Sequence, residues 1–125
     1  MYKKLVVLLL LLIPGVTLAT TVQDDWIEAL HQCESQGRDY ITILDTNNKY
    51  SYGGLMFQLG TFMSFGKKYN ILPDELTDKE GLLLIHRYSI QKAIAQAMLD
   101  DGLDYHWKNC RDKKIGPYPT SAVES

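Results

Sequence analysis

The chain is predicted to fold as a mainly helical α+β domain with one short β-hairpin. Three observations predict it. Three segments carry apolar residues at helix spacing, and a β-branched run is followed by a turn and a second extended run. Capping residues also fall where the helical segments should begin or end. At 125 residues there is room for one domain. A hydrophobic content of 46% with 22% charged residues is globular and excludes a disordered chain.

The first helix is predicted over Val22–Gln36, with Trp26, Ile27, Leu30 and Cys33 as its apolar stripe. Asp24 and Asp25 suit its positive end, and Gly37 closes it. Ile41–Leu44 reads as a strand, 45–48 as a turn and Lys49–Tyr52 as the returning strand. Gly53 and Gly54 interrupt the pairing and permit a close backbone approach. A second helix is expected from Leu55 to Tyr69, with Met56, Leu59, Phe62, Met63 and Phe65 on it. Thr77 and Glu80 form a capping box for a long third helix, Asp78–Asp101, which Gly102 stops. Wound at about 100° per residue, that segment puts Leu83, Ile90, Ile94, Ala97 and Met98 on one side. Leu84, Tyr88, Ala95 and Leu99 fall on another, so the helix should be central and buried. Arg111–Ser125 reads as a mobile tail.

Met1–Ala19 has the layout of a secretory signal: Lys3 and Lys4, an apolar run over Leu5–Ile13, then a small-residue end at Ala19. A secreted protein is therefore expected, touching the membrane only through that segment. Its removal takes two lysines and no acid, moving the formal charge from −2 to −4. No basic cluster larger than a pair such as Lys113-Lys114 is present, which argues against a nucleic-acid partner. His31, His86 and His106 are scattered, with no zinc motif, and Asp45–Lys49 starts like a calcium loop but lacks its glycine and glutamate. No metal or other cofactor is expected, and the domain should be a monomer. Cys33 and Cys110 are the only cysteines, either one disulfide or two buried thiols, and export favours the disulfide. Closing so long a loop would contribute about 4 kcal/mol on the chain-entropy estimate.

Glu34 is the residue that does not fit its element. It lies seven residues after Ile27 and four after Leu30, on the apolar stripe of the first helix. Desolvation there would raise its pKa, as a general acid requires. The alternative is an ordinary surface acid, turned to water or paired with Arg38.

Cys33-Glu34-Ser35 closes a helix, and seventeen residues after Glu34 the chain reads Ser51-Tyr52-Gly53-Gly54-Leu55-Met56-Phe57-Gln58. This combination resembles the lysozyme-like superfamily, particularly lytic transglycosylases and small secreted bacterial lysozyme-like domains. The resemblance runs from about Trp26 to Cys110, and its specific part is Glu34-Ser35 with 51–61. It implies a lysozyme-like helical domain at 20–110 with the hairpin beside a cleft. It also implies cleavage of the β-1,4 MurNAc–GlcNAc bond of peptidoglycan, by a lytic transglycosylase or muramidase. Glu34 would be the general acid and base, and Ser51, Tyr52, Gln58 and Thr61 would contact the sugars.

Two departures matter. Ser51 stands where animal-type lysozymes hold their second carboxylate, which favours transglycosylation and leaves Asp45 and Asp39 as candidate second carboxylates. Gln58 comes one or two positions later than the family's glutamine. Tyr50, Tyr52 and Tyr88 offer flat rings for sugar stacking or serve as ordinary packing aromatics. The competing readings are a catalytically weak glycan- or partner-binding module and a small secreted helical structural protein.

Overall fold

Thr21 begins the first helix with a capping box: its hydroxyl accepts from the Asp24 amide while the Asp24 carboxylate accepts from the Thr21 amide. From there α1 runs Val22–Ser35, and Trp26, Ile27 and Leu30 turn into the core. Gln36 and Gly37 take left-handed conformations and end the helix. The Ser35 hydroxyl donates to the His31 carbonyl and accepts from the Arg38 amide, fixing the exit. A computed structural model describes residues 21–120. The expected signal segment, Met1–Ala19, and residues 121–125 of the expected tail lie outside them.

The hairpin is present, and a third strand joins it. β1 (Thr42–Leu44), β2 (Tyr50–Tyr52) and β3 (Phe57–Gln58) form an antiparallel sheet in that order. Ile43 pairs with Ser51, and Ser51 pairs with Gln58. The second helix therefore starts later than expected: α2 is Leu59–Lys68, not a helix from Leu55. Gly53 and Met56 both have positive φ, which bends the chain back from β2 into β3 before any helix can form. Gly54 lies so close to the His31–Asp39 pair that a Cβ would come within 2.5 Å of His31 Nε2.

The long third helix is two helices. α3 spans Asp78–Leu84 behind the predicted Thr77–Glu80 capping box, and α4 spans Tyr88–Asp100. Arg87, in extended conformation, separates them. The break follows from Gln91, which is wholly buried. Its Nε2 donates to the carbonyls of Ile85 and Tyr52, while Oε1 accepts from the Leu55 amide. One side chain thus satisfies three buried backbone groups that regular structure leaves unpaired, each worth about 1–3 kcal/mol if orphaned. Because α3 stops early, Leu82 and Leu83 face outward, Leu83 being 78% exposed rather than buried.

After α4, Asp104–Trp107 forms a 3₁₀ turn and α5 is a single turn, Lys108–Cys110. Cys33 and Cys110 are joined by a disulfide that ties α5 to the end of α1. Trp107 is buried in the core, and its Nε1 donates to the Leu55 carbonyl, so the Gly53–Met56 bend is held from two sides. The expected mobile tail is packed as far as it is described. Arg111–Ile115 makes a π-helical turn, Trp26 Nε1 donates to the Gly116 carbonyl, and Tyr118 sets its ring edge-on to Trp26. The aromatic partner on α1 gives this segment surface to bury, which its polar composition concealed. Among the described residues no helix is long and apolar enough to cross a membrane.

Candidate active site

A cleft of about 450 Å³ opens between the end of α1, the sheet and the Asp104–Cys110 segment. Glu34, Ile43, Asp45, Ser51, Gln58 and Thr61 line it, with Met56, Phe57, His106, Trp107 and Asn109 completing it. Strand alternation explains the sheet's share. Ile43, Ser51 and Gln58 are cross-strand partners, so they project from one face.

Glu34 reaches the cleft from the last turn of α1. Burial pushes its carboxyl up to about 7, and the nearby charge of Asp45 adds to the rise. Arg38 does not neutralise it; its Nε instead donates to the Ser35 carbonyl. A disulfide sulfur, Sγ of Cys110, lies 2.9 Å from Glu34 Oε2. Above its ordinary range, the group keeps its proton close to neutral pH and can give it up to an incoming oxygen.

Asp45 comes from the turn between β1 and β2. A turn aspartate commonly caps local amides, but here Asn47 takes that task, its Oδ1 accepting from the Lys49 amide. The Asp45 carboxylate is free to point into the cleft. There it accepts a hydrogen bond from the Ser51 hydroxyl and a second from Gln58 Nε2 at 3.2 Å. Gln58 also exchanges hydrogen bonds with Asn47 through both ends of its amide, so it is a brace within the sheet wall. Ser51 is buried and serves the same wall.

Four of the expected residues, Tyr50, Tyr52, Asp39 and Tyr88, stand elsewhere. Tyr52 points to the face opposite Ser51 and lines a neighbouring groove with Lys49, Tyr50 and Gly60, while Gln58 and Thr61 border both spaces. Asp39 is absent from the cleft: its carboxylate pairs with His31 Nε2 at 2.8 Å, and its carbonyl meets His86 Nδ1. It anchors the loop after α1 and is no second carboxylate for Glu34. Tyr88 stacks on His31, ring centroids 4.0 Å apart, and does not line the cleft.

Reasoning from sequence missed His106 and Asn109. His106 packs among Phe65, Tyr105 and Trp107, and this desolvation lowers its pKa, so it faces the cleft as a neutral ring at neutral pH. The signal available was the ring-rich run Tyr105-His106-Trp107 just before Cys110, since a disulfide to Cys33 must bring that run beside Glu34. Among the described residues no group of three or more His, Cys, Asp or Glu side chains is arranged to hold a metal ion. Compared with protein-family models, with curated proteins and with solved structures, the chain matches none.

Proposed function

We propose that the chain is a lysozyme-like glycosidase that cleaves the β-1,4 MurNAc–GlcNAc bond of peptidoglycan, with Glu34 as general acid and Asp45 as the opposing carboxylate. The observation that carries this reading is the pair itself. One carboxyl is desolvated and raised to about 7, and a second carboxylate faces the same open cleft under two hydrogen bonds. The Glu34-Ser35 and Ser51–Gln58 elements, which resemble those of lysozyme-like enzymes, supply the choice of substrate. The disulfide suits a protein working outside the cytoplasm.

In this reading Glu34 protonates the glycosidic oxygen as the bond to the anomeric carbon breaks. Asp45 stabilises the positive charge that develops on the sugar, and its hydrogen bonds keep it aimed there. The Glu34 carboxylate then takes a proton from water as the hydroxide adds to the anomeric carbon, which restores the acid. Asp45 supplies the second acid that Ser51's position left missing, so hydrolysis is favoured over transglycosylation. Digestion of purified peptidoglycan, with products read by mass spectrometry, tests the whole scheme. Reducing-end muropeptides are expected from the wild type, and a fall of about 10³-fold or more in Glu34→Gln. Anhydro products would mean that Asp45 assists an internal attack by the sugar. Glycan retention without any product would make the domain a binding module.

A further inference from the structure

The contact between Glu34 and the disulfide has a chemical direction. Cys33 precedes Glu34 on α1, and the sulfur to which it is bonded, Sγ of Cys110, lies 2.9 Å from Glu34 Oε2. A disulfide sulfur has lone pairs and no hydrogen, so it can accept a hydrogen bond but never donate one. The only proton that can occupy this contact belongs to the carboxyl group. Among the described residues no N–H or O–H group donates to the Glu34 carboxyl, whereas Asp45 across the cleft receives two such donors. An ionised Glu34 would set its charge against sulfur lone pairs with no compensating partner.

We propose that Sγ of Cys110 is a positioning group for Glu34, accepting the carboxyl hydrogen and thereby holding the residue in its acid form until a stronger acceptor enters the cleft. This deepens the glycosidase reading and rests on it. Sulfur suits the task because it is a weak acceptor. A carboxylate in its place would retain the proton against the substrate, and an amide or hydroxyl donor would ionise the acid. When a glycosidic oxygen arrives, the O–H turns from sulfur to oxygen and the proton follows the leaving group. Once the proton has gone, the Glu34 carboxylate faces the same lone pairs, which favours its recovery of a proton from water. The disulfide has therefore two separable roles: it ties α1 to α5, and its sulfur sets the protonation of the acid.

Titration of the Glu34 side-chain carboxyl carbon by NMR separates the two roles without requiring activity. The wild type is expected to titrate near the raised value of about 7. Cys33→Ala/Cys110→Ala removes the acceptor, and the acid dissociation constant of Glu34 should rise about threefold. Cys33→Ala/Cys110→Ser places a hydroxyl donor against the carboxylate, and the rise should be about tenfold or more. A purely structural disulfide predicts that Cys33→Ala/Cys110→Ala keeps the wild-type midpoint, and that result, with Cys33→Ala/Cys110→Ser still lowered to show that the site responds to a donor, overturns the proposal. If either variant fails to fold, the intact protein gives the answer by Raman spectroscopy. The S–S stretching band of the wild type should shift with the Glu34 titration and lose that shift in Glu34→Ala; a pH-invariant wild-type band overturns the proposal. Peptidoglycan digestion is scored separately. A midpoint lowered in Cys33→Ala/Cys110→Ala, in a protein that cleaves no glycan, would remove the glycosidase reading and leave the sulfur contact standing; an unmoved midpoint in an active enzyme would do the reverse.

Discussion

Two carboxyl groups face one cleft from opposite walls, and the walls treat them differently. Glu34 stands at the end of a helix whose preceding turns are buried in the core, and a covalent bond at Cys33 fixes its position. Its neighbours are desolvating and offer it no donor besides its own proton. Asp45 stands on a small sheet whose first strand is exposed throughout, and hydrogen bonds from Ser51 and Gln58 fix it. The α1 wall is rigid by covalent attachment and apolar contact, the sheet wall by side-chain hydrogen bonding. Chemical role thus follows from donors and solvent rather than from residue type: the wall without donors keeps a proton, and the wall with donors presents an acceptor.

Beside the loss of activity in Glu34→Gln, the largest expected effect is on stability. Glu34 has an ordinary pKa of 4.5 and a folded value near 7, so the folded state binds its proton more tightly than the unfolded chain does. Its contribution is fully present below about pH 4.5 and is lost as pH rises through 7. The ionised form then costs the fold up to about 3 kcal/mol, less what solvent at the half-buried carboxyl recovers. Glu34→Gln, besides lacking activity, should therefore unfold at higher urea than the wild type at pH 8.5, and the advantage should vanish at pH 4. An undiminished advantage at pH 4 would mean that the stability cost lies in packing at Glu34, and the contrast between the walls would lose its basis.

Asp45→Asn tests the other wall and its influence on the first. The asparagine can still accept from Ser51 and Gln58, so the wall should stand while the charge is gone. A fall in kcat of about 10²-fold is expected for a carboxylate that stabilises developing positive charge, about 2.7 kcal/mol in the barrier. The alkaline limb of the pH profile should also move to lower pH, because Asp45 is one of the two causes that raise Glu34. A lower rate with an unmoved limb would show that Asp45 acts on substrate alone.

How much of this was legible in the sequence follows the same division. Glu34 could be found because a charged residue broke a helical stripe, and Cys33 with Cys110 because two cysteines allow one pairing. The Thr77–Glu80 cap was equally plain, since both halves of it are local. The sheet wall was not legible to the same degree. Tyr52 and Ser51 are adjacent in sequence and on opposite faces, and which face meets the cleft depends on pairing with β3, whose two residues carry too little pattern to announce a strand. Asp39 and Asp45 looked alike as loop acids; His31, buried on α1, decides the fate of the first, and Asn47 releases the second from its turn. Gln91 gave no warning either. Within a helical pattern it reads as one polar residue between Ile90 and Ile94, yet its three hydrogen bonds divide α3 from α4 and hold the bend that leads into β3.

Ser51→Ala gives the smallest effect and the finest comparison with Asp45→Asn. Ser51 sits where the resemblance to lysozyme-like enzymes would place a carboxylate, but its hydroxyl donates to Asp45 and its residue is 4% exposed, which leaves little of it for substrate. Removing the hydroxyl takes one of two donors from Asp45 and leaves Gln58 donating to the same oxygen, Oδ2. A hydrogen bond to a charged group contributes about 1.5–3 kcal/mol, and the remaining donor and entering water should limit the loss to about tenfold in kcat. The Asp45 charge remains, so the alkaline limb should stay at the wild-type position, unlike that of Asp45→Asn. KM should also change little if Ser51 acts through Asp45 and not on the sugar. A rise in KM at constant kcat would return Ser51 to direct substrate contact. A limb displaced as far as in Asp45→Asn would mean that aim and charge cannot be separated on this wall, and that the hydroxyl, not the turn, determines whether Asp45 faces Glu34.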